Sequence, residues 1–90
     1  MIAFEDLKLS LVPGKFLTMI NSDRGEAPHI TGIPCKVIAS TRDGVTMMRP
    51  SDWGFFNWPT ERRYTPTGPD TFRVQVSATI WREYRIGDKP

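Results

Sequence analysis

Ninety residues leave too little interior to divide between two hydrophobic cores, so residues 1–90 are expected to form one small domain. A hydrophobic fraction of 39% is lean, but five Phe, three Trp and two Tyr compensate in part, while the single cysteine, Cys35, excludes an intramolecular disulfide. The net charge of +2 is uneven: Met1 to Met48 balance at five basic and five acidic residues, whereas Arg49 onward carries seven basic, six of them arginine, against five acidic.

The amino-terminal run "MIAFEDLKLSLVPGKFLTMI" has acidic residues near its start and Pro-Gly in its middle. That layout fits neither a secretory signal nor a spanning helix, so a soluble cytoplasmic protein without a membrane partner is expected. Ala3 to Val12 places Phe4, Leu7 and Leu11 on one face, enough for one short helical turn or two before Pro13. After the Pro13-Gly14 turn, Lys15 to Ile20 reads as a strand that ends in the polar loop "NSDRGEAPHITG".

"IPCKVIASTRDGVTMMRP" reads as a hairpin turning at Asp43-Gly44, a pair suited to the positive φ angles of a tight turn, with Pro34 and Pro50 bracketing the paired residues. Then comes a dense aromatic patch, "DWGFFNWPTERRY", and a stretch from Pro59 to Pro69 that reads as a surface excursion between strands. Near the carboxyl terminus, Phe72, Val74, Val76, Ala78 and Ile80 alternate with Arg73, Gln75, Ser77, Thr79 and Trp81, the period of two of a half-buried strand. The run is long, and a bend or bulge near Ser77 to Thr79 is expected.

Short strands, frequent turn signals and almost no helix predict a mainly β fold: a small antiparallel barrel or a strongly bent sheet. The order "PGKFLTMI", polar loop, "PCKVIAS", tight turn, "GVTMMRP" is similar to SH3-like barrels. "DRGEAPHITGIPCKVIAS" also resembles the opening of MazF-type RNase toxins, in which a charged loop with a glycine and a glutamate leads into a proline-started strand; the resemblance implies an RNase. The chain departs from that pattern, with no arginine between Glu26 and Pro34, and with Arg49-Pro50-Ser51 where the family places proline and threonine.

No constellation for chemistry stands out. His29 and Cys35, the sole imidazole and thiol, do not have a metal-ligand spacing, and no phosphate loop, nucleophile elbow or dinucleotide fingerprint is present, so no metal, cofactor or catalytic residue is assigned. Cys35 reads as a small hydrophobe at a strand start and His29 as an exposed loop residue.

Binding remains. Arg49, Phe56, Trp58, Arg62, Arg63 and Tyr64 combine the residue types that dominate interface hot spots, with Phe56 and Trp58 expected exposed and Trp53 and Phe55 expected inward. Arg73, Gln75, Thr79, Trp81, Glu83 and Arg85 share a second face, from which Trp81 and Arg85 extend the candidate surface; Trp81 is equally readable as a cross-strand packing partner covered by the Pro59 to Pro69 excursion. Two function classes follow: a non-enzymatic protein-binding module, an inhibitor or adaptor of the compact kind found in phages and mobile elements, or a nucleic-acid-binding barrel with arginines on phosphates and aromatics on bases. Asp52, Glu61, Asp70 and Glu83 interrupt the arginines, which favours a protein partner over a phosphate track; a homodimer is a further option.

Overall fold

A computed structural model describes residues 1–23 and 31–90. Seven strands form one antiparallel sheet: β1 (Phe16–Ser22), β2 (Pro34–Ser40), β3 (Gly44–Met48), β4 (Trp53–Asn57), β5 (Tyr64–Pro66), β6 (Thr71–Gln75) and β7 (Trp81–Gly87), in the spatial order β4-β3-β2-β1-β7-β6-β5. A 3₁₀ turn, Phe4–Asp6, runs into the single short helix α1 (Leu7–Ser10), and a second 3₁₀ turn, Glu61–Arg63, precedes β5. The sheet does not close into a barrel, since β4 and β5 are its two unpaired edges.

It is nonetheless strongly bent. β4 and β6 stand five strand spacings apart in the sheet order, about 24 Å if the sheet were flat. The Phe56 ring of β4 instead lies 6.1 Å from Phe72 of β6 and 5.2 Å from Tyr84 of β7. The sheet therefore curls until its concave face meets itself. Bulges between Met19 and Asn21 in β1, and between Val37 and Ala39 in β2, supply local twist for that curl.

The core is the concave face. Leu17, Val37, Val45, Phe72 and Ile86 alternate inward along their strands, and Leu7 and Leu11 of the amino-terminal segment pack against the same cluster. Phe72 is fully buried at the centre, with Tyr64 at 5.4 Å and Tyr84 at 5.5 Å between ring centroids. Phe4 adds an edge contact to Tyr64 at 5.6 Å, which ties the amino-terminal turn to β5.

Several expectations need correction. The carboxyl-terminal run does more than bend at Ser77 to Thr79: it reverses, with Val76 and Ser77 amides donating to the Ile80 carbonyl, and β6 and β7 form a hairpin. The Pro59 to Pro69 stretch contains β5, which pairs with β6 through Tyr64, Thr65 and Pro66. The aromatic patch contains an unforeseen strand, β4.

The β2–β3 turn also differs. Positive φ occurs at Gly14 (98°) and Gly32 (85°), not at Gly44. Thr41 organises this turn, its hydroxyl accepting from the Asp43 and Gly44 amides at 3.2 and 3.3 Å. Gly44 is required instead by close approach, because a Cβ there would run into the Phe56 carbonyl oxygen and stand 2.8 Å from the Phe55 ring.

Candidate functional site

Curling without closure leaves a cleft of about 500 Å³ between β4 and the β6–β7 hairpin. Its walls are Phe56 and Trp58 on one side, Arg62 and Arg63 at the 3₁₀ turn, and Val74, Arg82 and Tyr84 on the other. A smaller hollow of about 120 Å³ adjoins it through shared Phe56, Arg82 and Tyr84, and reaches Cys35, Met47 and Arg49. No carboxylate among the described residues lines either space.

Each side chain is held by identifiable contacts. The Arg63 guanidinium donates to the Val76 carbonyl at 2.8 Å, pinning the 3₁₀ turn to the end of β6. Trp58 donates its indole N–H to the Thr41 carbonyl at 2.9 Å, meets Phe56 edge-on at 6.3 Å, and has the Lys8 ammonium 5.7 Å over its ring. Arg49 grips Asp52 with two hydrogen bonds, at 2.6 and 3.1 Å, and caps the Trp53 carbonyl at 3.0 Å. Its charge is therefore already matched. Arg62 makes no hydrogen bond or ion pair among the described residues, and Arg82 projects from β7 on the same face as Tyr84 and Ile86.

The titrating groups follow from these positions. Burial pushes the Tyr84 hydroxyl above its ordinary pKa, and the neighbouring Arg82 guanidinium opposes that rise. Burial likewise raises the Cys35 thiol, with Arg49 opposing and Asp52 adding. A raised thiol pKa means less thiolate at neutral pH, so alkylation of Cys35 by iodoacetamide is expected to be slower than that of a free cysteine, with a pH–rate midpoint displaced upward. A midpoint at or below the ordinary thiol value would contradict this placement.

The expected surface is thus redistributed. Phe56, expected exposed, is 7% exposed and fills the core, while Trp53 and Phe55, expected inward, are 64% and 41% exposed on the convex side. The physical reason is register: Phe56 pairs with buried Val45, so its neighbours face outward. Tyr64 is also buried, and its hydroxyl donates to the Ile2 carbonyl at 2.6 Å. Tyr64→Phe is expected to lower stability by about 1 kcal/mol in a denaturant titration, from loss of that bond alone.

Trp81 and Arg85 lie on the convex face, away from the cleft, since they alternate with Arg82, Tyr84 and Ile86. The Arg73 guanidinium stacks 3.8 Å over the Trp81 ring and reaches Glu83 at 3.8 Å. Trp81 is a cross-strand packing partner, covered by Arg73 rather than by the Pro59 to Pro69 stretch. Of the expected grouping, Arg73, Gln75, Trp81, Glu83 and Arg85 do share one face, because directly paired residues of the hairpin share a face, whereas Thr79 lies in the turn outside the paired residues.

The structure therefore brings Phe56, Trp58, Arg62 and Arg63 to one cleft, sets Arg49 beside it, and removes Tyr64, Trp81 and Arg85. Sequence reasoning missed Arg82 and Tyr84. Their signal was the continued alternation of even-numbered residues, Phe72 and Val74 to Arg82, Tyr84 and Ile86, which sets an arginine on an otherwise apolar face.

His29 and the charged-loop part of the stretch that resembles the RNase toxins, residues 24–30 including Glu26, lie outside the described residues. Among the described residues no cluster of three or more His, Cys, Asp or Glu could hold a metal ion, and no helix is long and apolar enough to cross a membrane. In comparison with known proteins, the chain matches no family, no curated protein and no solved structure.

Proposed function

We propose that this chain is a non-enzymatic protein-docking module, an inhibitor or adaptor acting in the cytoplasm, whose cleft takes an acidic segment of a partner protein. The observation that carries the reading is the pairing of Arg62 and Arg82 in a cleft wall that holds no carboxylate among the described residues. Of the four acidic residues that interrupt the arginines in sequence, Asp52 is bound to Arg49, Glu83 pairs with Arg73 on the convex face, and Glu61 and Asp70 do not line the cleft. Local charge is therefore more positive than the chain average, and an anionic segment gains attraction there with no carboxylate of the described residues competing, Arg82 facing the Tyr84 hydroxyl.

A protein segment fits better than nucleic acid because the cleft offers few free stacking platforms. Base stacking needs an exposed ring face beside the cations. Here Phe56 is buried, Trp58 is engaged by Phe56 and Lys8, and Tyr84 stacks on Phe72. Of the two exposed aromatic residues of β4, Trp53 lines neither space, which leaves Phe55, half-exposed, as the one partly free ring beside Arg82.

The test is a titration of a fluorescein-labelled glutamate-rich peptide against the protein by anisotropy, beside a single-stranded oligonucleotide of equal charge. Saturable peptide binding that weakens with salt and is lost in the Arg62→Ala/Arg82→Ala variant is the expected result. Preferential capture of the oligonucleotide, with a steep log-log salt slope, would replace this reading with the nucleic-acid one.

A further inference from the structure

Resting on the docking reading above, we propose that the acidic segment binds as an eighth strand along the free edge of β4. The phase of β4 is set by two hydrogen bonds at its ends: the Arg49 amide donates to the Asp52 carbonyl at 2.9 Å, and the Trp58 amide to the Asp43 carbonyl at 3.1 Å. Antiparallel pairing alternates bonded and non-bonded pairs, so Gly54 and Phe56 turn their backbone groups toward β3. Trp53, Phe55 and Asn57 turn theirs toward the open edge. The Trp53 carbonyl is already capped by Arg49 at 3.0 Å, which leaves the N–H and C=O of Phe55 and Asn57 as the open row.

The two edges of the sheet are treated differently. β5 has three residues, ends at Pro66 and is followed by Pro69, features that blunt an edge against pairing. β4 has five residues, no proline, no lysine and an unbroken register with β3. The unblunted edge is the one that borders the arginine cleft.

Strand geometry then specifies the occupant. Side chains of an added strand alternate between faces. Those on the concave side, in phase with Phe56, meet Arg82 and Arg62 and suit carboxylates; those in phase with Trp53 and Phe55 lie beside exposed aromatic surface, of which Phe55 also borders the cleft, and suit apolar groups. The ligand is an extended segment alternating acidic and apolar residues.

The experiment compares two labelled peptides of identical composition, one alternating glutamate and valine and one with the glutamates and valines in separate blocks, on wild-type protein, Arg62→Ala/Arg82→Ala, Phe55→Ala and Phe55→Pro. Proline at 55 removes an N–H that β3 does not use, so the variant retains the β3–β4 bonds, and circular dichroism checks the fold. Strand addition predicts at least tenfold preference for the alternating peptide and at least tenfold weaker binding to Phe55→Pro than to Phe55→Ala. In the wild type, amide hydrogen exchange at Phe55 and Asn57 slows at least tenfold on saturation, a readout independent of any variant's folding. Arginine-dependent binding that leaves both amides unprotected overturns strand addition while the docking reading stands. Binding of neither peptide, or binding indifferent to the arginines, overturns both. Protection of the same amides by raising protein concentration without peptide overturns the proposal in favour of a second copy of this chain.

Discussion

Arg62→Ala/Arg82→Ala is expected to weaken binding of the acidic peptide roughly a hundredfold while the thermal melt stays nearly unchanged. A hydrogen bond to a charged group contributes about 1.5–3 kcal/mol, so two such contacts at the low end sum to about 3 kcal/mol, or two decades in Kd. Both side chains are exposed, and neither donates a hydrogen bond on which a strand or turn depends, which limits the stability change to about 0.5 kcal/mol. Arg63 is a poorer probe because its guanidinium holds the Val76 carbonyl, and its loss would loosen the cleft wall as well as remove charge. Anisotropy at low and physiological salt reads the effect. A double variant that binds within threefold of wild type would remove the cleft from consideration.

Phe72→Ala is expected to leave the protein largely unfolded near physiological temperature. The ring is fully buried and contacts Phe56, Tyr64 and Tyr84, so its removal takes away transfer energy and leaves a cavity between three aromatic groups. Phe→Ala in a core costs about 3–5 kcal/mol. A chain of 90 residues has a total stability of about 5–13 kcal/mol, so that cost is a large fraction of the whole. Urea unfolding followed by tryptophan fluorescence measures it. A midpoint shift worth less than 1 kcal/mol would mean that the sheet is not curled around this residue.

The two expectations differ in what they report. Phe72 tests whether β4 and β6 truly meet, and the arginines test what the remaining gap is for. The raised pKa values of Cys35 and Tyr84 belong to the same geometry, since both groups are partly buried beside the cleft.

Much of the secondary structure was legible in the residues. Pro13-Gly14 marked the start of β1, Pro34 the start of β2, and the alternation around Phe72 the strand β6. These signals are local, arising from restricted φ, a missing amide donor and a period of two along one strand. The shortage of helix was equally readable, because few residues lie between successive prolines and glycines.

β4 was not legible. Trp53-Gly54-Phe55-Phe56-Asn57 has aromatic residues on both faces, so periodicity gives no inward side, and the assignment of Phe56 depended on its partner Val45 in another strand. The reversal at Ser77 to Ile80 was hidden for a related reason: apolar alternation continues through it, and only hydrogen bonds to the Ile80 carbonyl mark the turn.

By itself, then, the sequence determined a mainly β chain with one short amino-terminal helix, a single cysteine with no intramolecular disulfide partner and an arginine-rich second half. Tertiary structure alone decided which aromatics became core, that the sheet curls without closing, and that Arg62 and Arg82, 20 positions apart in the chain, line one cleft to which no described carboxylate contributes. Local residue chemistry governs where strands start and stop. The side that each strand buries, and the charges left facing each other across a gap, are set by register and curvature summed over the whole sheet.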